Sequence, residues 1–380
     1  MQLLNIHFPG KLVFGNGSLQ QLTNEILQLS CKRVLLLTIE PLLATLTDLK
    51  TQLEQAGVAL RIDTSIIQEP TFQDFRNLLA DSKDFNADLV LGIGGGSVLD
   101  IAKLIAAQLD NTQTLEEIVG IGFLKGRNIK LICVPATSGT GSEVSPNTIL
   151  VDDEGQKKGI ISPFLVPDMV YVDPLLTISV PASITAATGL DALTHCLEAF
   201  TNKFAQPFID MYAFEGMRLI AANLVDAVQD GTNKTAREQV AMGSLLGGFC
   251  LGPVNTAGVH ALSYPLGSMF HLPHGLSNAL LLPYVMEFNY PAAVKKYAQV
   301  AQALGCENQD NDEKMALAGI AKIKSLIAAC GIPAKLSDLN IPKDKITEMA
   351  KDAMQIQRLL KNNPREITLK DAVSIYTAAY

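Results

Sequence analysis

Short apolar runs alternate with helix-spaced segments through the first half of the chain. Residues 33–38 read RVLLLT, residues 88–93 DLVLGI and residues 129–134 IKLICV, with a further candidate run at 58–62. Continuous apolar runs of this length, without polar alternation, are the mark of strands buried on both faces. Residues 44–55 and 71–82 carry helical spacing between them, and Gly57 ends the first of these. The alternation predicts an open, mostly parallel sheet with helices on both faces. From about Pro181 the pattern changes to long Ala- and Leu-rich stretches of helical period, at 183–199, 206–223, 234–249, 291–304 and 313–329. The expected organisation is therefore an α/β domain over residues 1–180 and an all-α domain over 181–380.

At 380 residues the chain is long enough for two cores. Its 48% hydrophobic and 18% charged residues are a rich balance for a soluble monomer and point to a subunit interface. The most apolar segment, 244–270, is broken by Gly, Pro, Asn and His, so no membrane span is expected. Residues 1–7 lack the basic start and apolar stretch of a secretory signal. A net charge of −8 disfavours nucleic acid as partner. Six scattered cysteines without a CxxC pair read as reduced thiols in a cytoplasmic protein.

Candidate chemistry lies in two places. Gly94, Gly95, Gly96 and Ser97 follow the 88–93 run and open a helical pattern that includes Asp100. Glycines there let a backbone approach a phosphate, and amides at a helix start point toward it; Ser97 is placed to cap the helix or to bind phosphate. The plain alternative is a tight strand-to-helix turn, since GxGxxG is not matched. A second small-residue loop, with Thr137, Ser138 and Thr140, follows the 129–134 run and suits phosphate and ribose contacts. The other place is a metal pattern. Asp191 and His195 are four apart, which stacks them on one helical face. His260, His271 and His274 follow, and one carboxylate with three imidazoles suits Fe²⁺ or Zn²⁺. A carboxylate inside an apolar helix is costly without a partner, which favours Asp191, His195, His260 and His274 as ligands. His271 either lines the site or packs nearby, and Tyr264, one turn after His260, either reaches substrate or is a core aromatic.

These motifs resemble the iron-containing (group III) alcohol dehydrogenases, which include lactaldehyde reductases and propanediol dehydrogenases. The resemblance runs essentially end to end, from Phe14-Gly15-Asn16-Gly17-Ser18-Leu19 and Glu69-Pro70-Thr71 through Gly139-Thr140-Gly141-Ser142-Glu143 to Pro273-His274-Gly275 and the final Tyr380. It implies a dinucleotide-binding N-terminal domain, a helical C-terminal domain and an active site in the cleft between them. It implies that Asp191, His195, His260 and His274 bind a metal, usually Fe²⁺ and sometimes Zn²⁺. Gly95, Gly96, Ser97, Thr137, Ser138 and Thr140 match the family's cofactor loops, Gly94 and Asp100 belong to the same motif, and Lys158 matches a lysine near the cofactor.

Two departures stand out. Many relatives carry a second histidine at the position of Tyr264, so proton transfer would fall to His271 or Tyr264. Relatives that prefer NAD often place an aspartate at the position of Ile39, so NAD and NADP both remain open. The function expected is a metal-dependent NAD(P)-linked oxidoreductase of small primary alcohols and aldehydes, cytoplasmic, and a homodimer or larger. Dehydroquinate-synthase-like lyases and maleylacetate-reductase-like enzymes are the alternatives, disfavoured by the few cations beside the metal motifs.

Overall fold

The computed structural model describes residues 3–380. Among them, nine strands form two sheets. The larger sheet runs in the order β1 (Lys11–Phe14), β9 (Met169–Val172), β6 (Lys130–Pro135), β4 (Leu89–Gly94), β2 (Arg33–Leu37), β3 (Ala59–Asp63). Every neighbouring pair in it is parallel. Alternation along the strands explains the unbroken apolar runs. Val34, Leu36, Leu89, Leu91, Ile132 and Val134 enter one core cluster, while Leu35, Leu37, Val90, Leu131 and Cys133 enter another. Successive side chains of a strand point to opposite faces, so a sheet covered on both sides needs apolar residues at every position.

The chain leaves β2 for β3 on one side and returns to place β4 on the other. Between β2 and β4 the direction of winding reverses, and ligands of such sheets bind beyond the strand ends at that crevice. The turn after β4 leads directly into the helix Gly96–Gln108.

The smaller sheet places β8 (Lys157–Ile161) between β5 (Gly120–Ile121) and β7 (Asn147–Val151), with β7 and β8 antiparallel. Their turn is held by the Asp152 carboxylate, which accepts from the amides of Glu154 and Gln156. Two side chains of the helix Gly96–Gln108 pin this sheet. Lys103, fully buried, donates to the carbonyls of Ser142 and Asn147, and Asp100 accepts from the amide of Ile149 at 2.9 Å.

The second half is helical, with long helices at Ala182–Thr201, Pro207–Gln229, Lys234–Leu251, Gly258–Phe270, His274–Asn289, Val294–Ala303 and Asp312–Ala329. The expected class, a parallel α/β unit followed by a helical one, is the class observed. By compactness the chain divides into Ile6–Thr137 with Ser142–Thr177, and Ile178–Tyr380 with Ser138–Gly141 and the first described residues. No helix among the described residues is long and apolar enough to cross a membrane.

Candidate metal centre and cofactor loop

Three helices of the helical unit carry the metal pattern. Asp191 and His195 lie one turn apart in Ala182–Thr201; His260 lies near the start of Gly258–Phe270; His274 is the first residue of His274–Asn289. Gly275 explains how the last element comes so close to the first. A Cβ at that position would lie 2.3 Å from the Ala187 carbonyl oxygen and 3.3 Å from Asp191 Cβ. The glycine thus lets the start of one helix press against the middle of another, which brings His274 to Asp191.

Asp191 Oδ1 stands 3.7 Å from His195 Nε2, 3.6 Å from His260 Nε2 and 3.7 Å from His274 Nε2. The four donor atoms all lie within 4.8 Å of one another. These separations exceed a hydrogen bond, yet the groups converge on one point. An ion bound at about 2.0–2.2 Å spaces its nearest ligand atoms by roughly 3.0–3.6 Å, so the residues fit a divalent cation. Three of these side chains are 3–6% exposed, whereas His274 is 30% exposed and is the one most open to solvent.

The surrounding groups set the charges. Glu198 Oε2 meets His260 Nδ1 at 2.6 Å, and its other oxygen accepts from the Val259 amide. Burial works against protonation of His260, but the Glu198 carboxylate, with Asp191, raises its pKa to about 10 in the metal-free chain. Burial lowers that of His195. Burial would push Asp191 up, but His195, His274 and His260 override it and hold the carboxyl well below the usual carboxylate range. Asn278 presents Nδ2 at 2.7 Å from Asp191 Oδ1, 3.1 Å from His260 Nε2 and 3.2 Å from His274 Nε2.

Four expected ligands are therefore brought together, and Tyr264 stands beside them, its ring centre 6.0 Å from that of His274. His271 is not in the group: it closes its helix in the left-handed conformation, φ 56°, and is exposed. Sequence reasoning missed Glu198, Asn278 and Arg358. Glu198 follows Asp191 by seven and His195 by three, a third polar residue on one apolar helical face, and Asn278 follows His274 by four; both spacings carry a signal. Arg358 carries none, being linked only in space, through Nη2 donating to the Tyr264 hydroxyl at 2.9 Å.

In the α/β unit, the loop after β4 gives the helix Gly96–Gln108 a start capped by no side chain, with Gly95 rather than Ser97 at the N-cap. A Cβ on Gly95 would meet nothing closer than Thr137 Oγ1 at 3.4 Å, so protein packing does not require this glycine, and Gly95 and Thr137 face one another. Asp100 is committed to Ser142 Oγ and the Ile149 amide. Lys158 lies in β8, bonded to Gln156 and paired with Asp152.

A parallel sheet with a bare helix start after its central strand, followed by a helical unit holding one carboxylate and three imidazoles, defines a metal-dependent dehydrogenase of the two-domain type. Comparisons with known proteins place it further. Residues 9–174 match the model for iron-containing alcohol dehydrogenase, and residues 185–380 the C-terminal model of the Fe-containing alcohol dehydrogenase family. The long-chain-alcohol dehydrogenase 1 of Geobacillus thermodenitrificans is 37% identical over 387 residues, covering 100% of this chain and 98% of that protein. A solved 1,3-propanediol oxidoreductase superposes with a TM-score of 0.95 at 33% identity, over 100% of both chains. The sulfoacetaldehyde reductase of Bifidobacterium kashiwanohense, solved in complex with NAD+, gives 0.89 at 26% identity, over 100% of this chain and 99% of that one. The chain belongs to the iron-containing alcohol dehydrogenase family, and it is an alcohol–aldehyde oxidoreductase.

Proposed function

We propose that the chain interconverts small primary alcohols and aldehydes with NAD(H) or NADP(H), using one divalent ion, Fe²⁺ or alternatively Zn²⁺. The observation that carries this reading is the convergence of Asp191, His195, His260 and His274 on one point, with His274 on the open side. Those four residues would hold the ion, which supplies Lewis-acid polarisation of the substrate oxygen while the nicotinamide supplies or accepts hydride.

The remaining work belongs to the chain. Glu198 fixes the ring of His260 through Nδ1, so that Nε2 faces the centre. Asn278 orients the Asp191 carboxylate through its amide. Burial of three ligands keeps bulk water to the His274 side. The alcohol proton that leaves in oxidation, or arrives in reduction, needs a group at that side. Tyr264, whose ring centre lies 6.0 Å from that of His274, carries one candidate hydroxyl. His271, exposed at the helix end, is the other candidate for this role.

Gly94, Gly95, Gly96, Ser97, Thr137, Ser138, Thr140, Asp100 and Lys158 are proposed to serve the dinucleotide. The space beside Gly95 supports a phosphate there, and so does the uncapped helix start. At the end of β2, Ile39 offers no carboxylate to a ribose and Glu40 is exposed, so a 2′-phosphate meets no fixed negative charge at Ile39 itself. A homodimer or larger assembly in the cytoplasm completes the reading, supported by the apolar composition.

The test is NADH and NADPH oxidation with short aldehydes, on protein purified anaerobically and reloaded with Fe²⁺. The expected result is metal-dependent turnover, lost by at least about 10³-fold in His260→Ala and His274→Ala with the fold retained. Unchanged kcat in either metal-replete variant would overturn the ligand assignment. Tyr264→Phe and His271→Ala separate the two proton candidates, since only the variant of the acting group should alter the pH profile.

A further inference from the structure

We infer that Arg358 adapts this site to alcohols and aldehydes bearing an anionic group, a carboxylate or a sulfonate, a few bonds from the reacting carbon. The inference rests on the oxidoreductase reading above and names its substrate class.

Arg358 lies in the short helix Gln357–Leu360 and is half-buried. Its Nη2 donates to the Tyr264 hydroxyl, and its Cζ stands 5.8 Å from the centre of that ring. Arg61, Arg76, Arg127 and Arg218 each face a carboxylate, whereas Arg237 and Arg365 are spent on backbone carbonyls and a hydroxyl far from the metal ligands. Among the described residues Arg358 faces none. One neutral phenol engages one of the five N–H donors that a guanidinium carries, with no carboxylate within 4.0 Å.

The position matters as much as the charge. Two contacts, 5.8 Å and 6.0 Å, lead from the guanidinium through the Tyr264 ring to His274, the most exposed ligand. The charge therefore stands on the more open side of the site. The carboxylates of Asp191 and Glu198 would balance a divalent ion, which leaves the Arg358 charge beyond Tyr264 from His274. A planar fork of donors matches the paired oxygens of a carboxylate or sulfonate. A neutral short alcohol would leave those donors to water. A charge-assisted hydrogen bond in such a place corresponds to about 10–100-fold in selectivity.

The experiment compares succinic semialdehyde with butanal, matched in carbon number, on the Fe²⁺-loaded enzyme with excess reduced cofactor. The expected result is a kcat/KM at least about tenfold higher for the charged aldehyde. Arg358→Gln should lose about 30-fold or more on it and less than about threefold on butanal, with partial recovery in Arg358→Lys. A second readout is independent of turnover: calorimetric binding of propanesulfonate to the loaded protein, expected in the wild type and lost in Arg358→Gln. Equal losses on both aldehydes would make Arg358 a positioning residue for Tyr264 and overturn the inference, as would propanesulfonate binding unchanged in the variant. Butanal turnover without any preference for the charged aldehyde would overturn it while leaving the oxidoreductase reading intact. If neither aldehyde reacts, that reading fails, and propanesulfonate binding alone decides on Arg358.

Discussion

Glu143 and Asp191 are both buried carboxylates, and their surroundings drive them in opposite directions. Around Asp191 three imidazoles outweigh burial. Around Glu143 burial dominates; its own backbone amide and Lys103 offset it only in part, and the pKa rises to about 7. A carboxyl whose folded pKa lies above its unfolded value of 4.5 favours folding most below pH 4.5. That contribution is lost as pH rises through 7, to a limit of about 3 kcal/mol or slightly more. Glu143→Gln cannot ionise, so it should match the wild type near pH 4.5 and unfold several degrees higher at pH 8. Melting curves recorded across that range check the claim, and a constant gap would refute it. At this scale the sequence was informative where residues of one kind recur at helical spacing, as Asp191 and His195 do. Glu198 shares that spacing, but a single glutamate in a helix is ordinarily a solvated one. Arg358 was beyond reach, since only folding brings it to Tyr264, 94 positions away.

Packing of whole elements explains which parts of the fold could be read in advance. The strands β2, β4 and β6 announce themselves because both of their faces are covered. The hairpin of β7 and β8 does not: its turn and second strand, residues 152–158, read DDEGQKK-like polarity rather than strand alternation, and its anchors come from Lys103 and Asp100 on a distant helix. The helices carrying His260 and His274 contain Pro265 and Pro283 and are separated by Pro273. Prolines that ordinarily end helices sit inside these two, tolerated within a bundle that holds them, so periodicity bounded neither, although Tyr264 reads as one turn after His260. Their approach to the helix of Asp191 depends on Gly275. Gly275→Ala would force a Cβ against the Ala187 carbonyl at 2.3 Å and shift the start of the His274 helix outward. The expected outcome is metal affinity weakened by about 10-fold or more, with dinucleotide binding unchanged. Chelator competition and cofactor fluorescence read the two separately; unaltered metal affinity would show that the contact is not what sets the ligand spacing.

For the molecule as a whole, the order of the large sheet was not legible, because β1 pairs with β9 across more than 150 residues and no local pattern encodes that partnership. Its class was, because covered parallel strands and Ala/Leu-rich helices differ in period. The four proposed ligands come from three helices, so an ion that binds only the folded chain should stabilise it by mass action, about 2.7 kcal/mol at a hundredfold excess over Kd. Chelation should lower the melting temperature and speed amide exchange in Ala182–Thr201, Gly258–Phe270 and His274–Asn289. Exchange in those helices that ignores the ion would contradict the site. The Glu198–His260 contact has one more consequence. An imidazole whose proton affinity Glu198 raises must surrender that proton before Nε2 can bind a cation. Filling the centre at neutral pH should release about one proton per ion, visible with an indicator dye in weak buffer. Acid is thus a rival for the same lone pair, and souring the medium should empty the centre of its ion before it disturbs the fold.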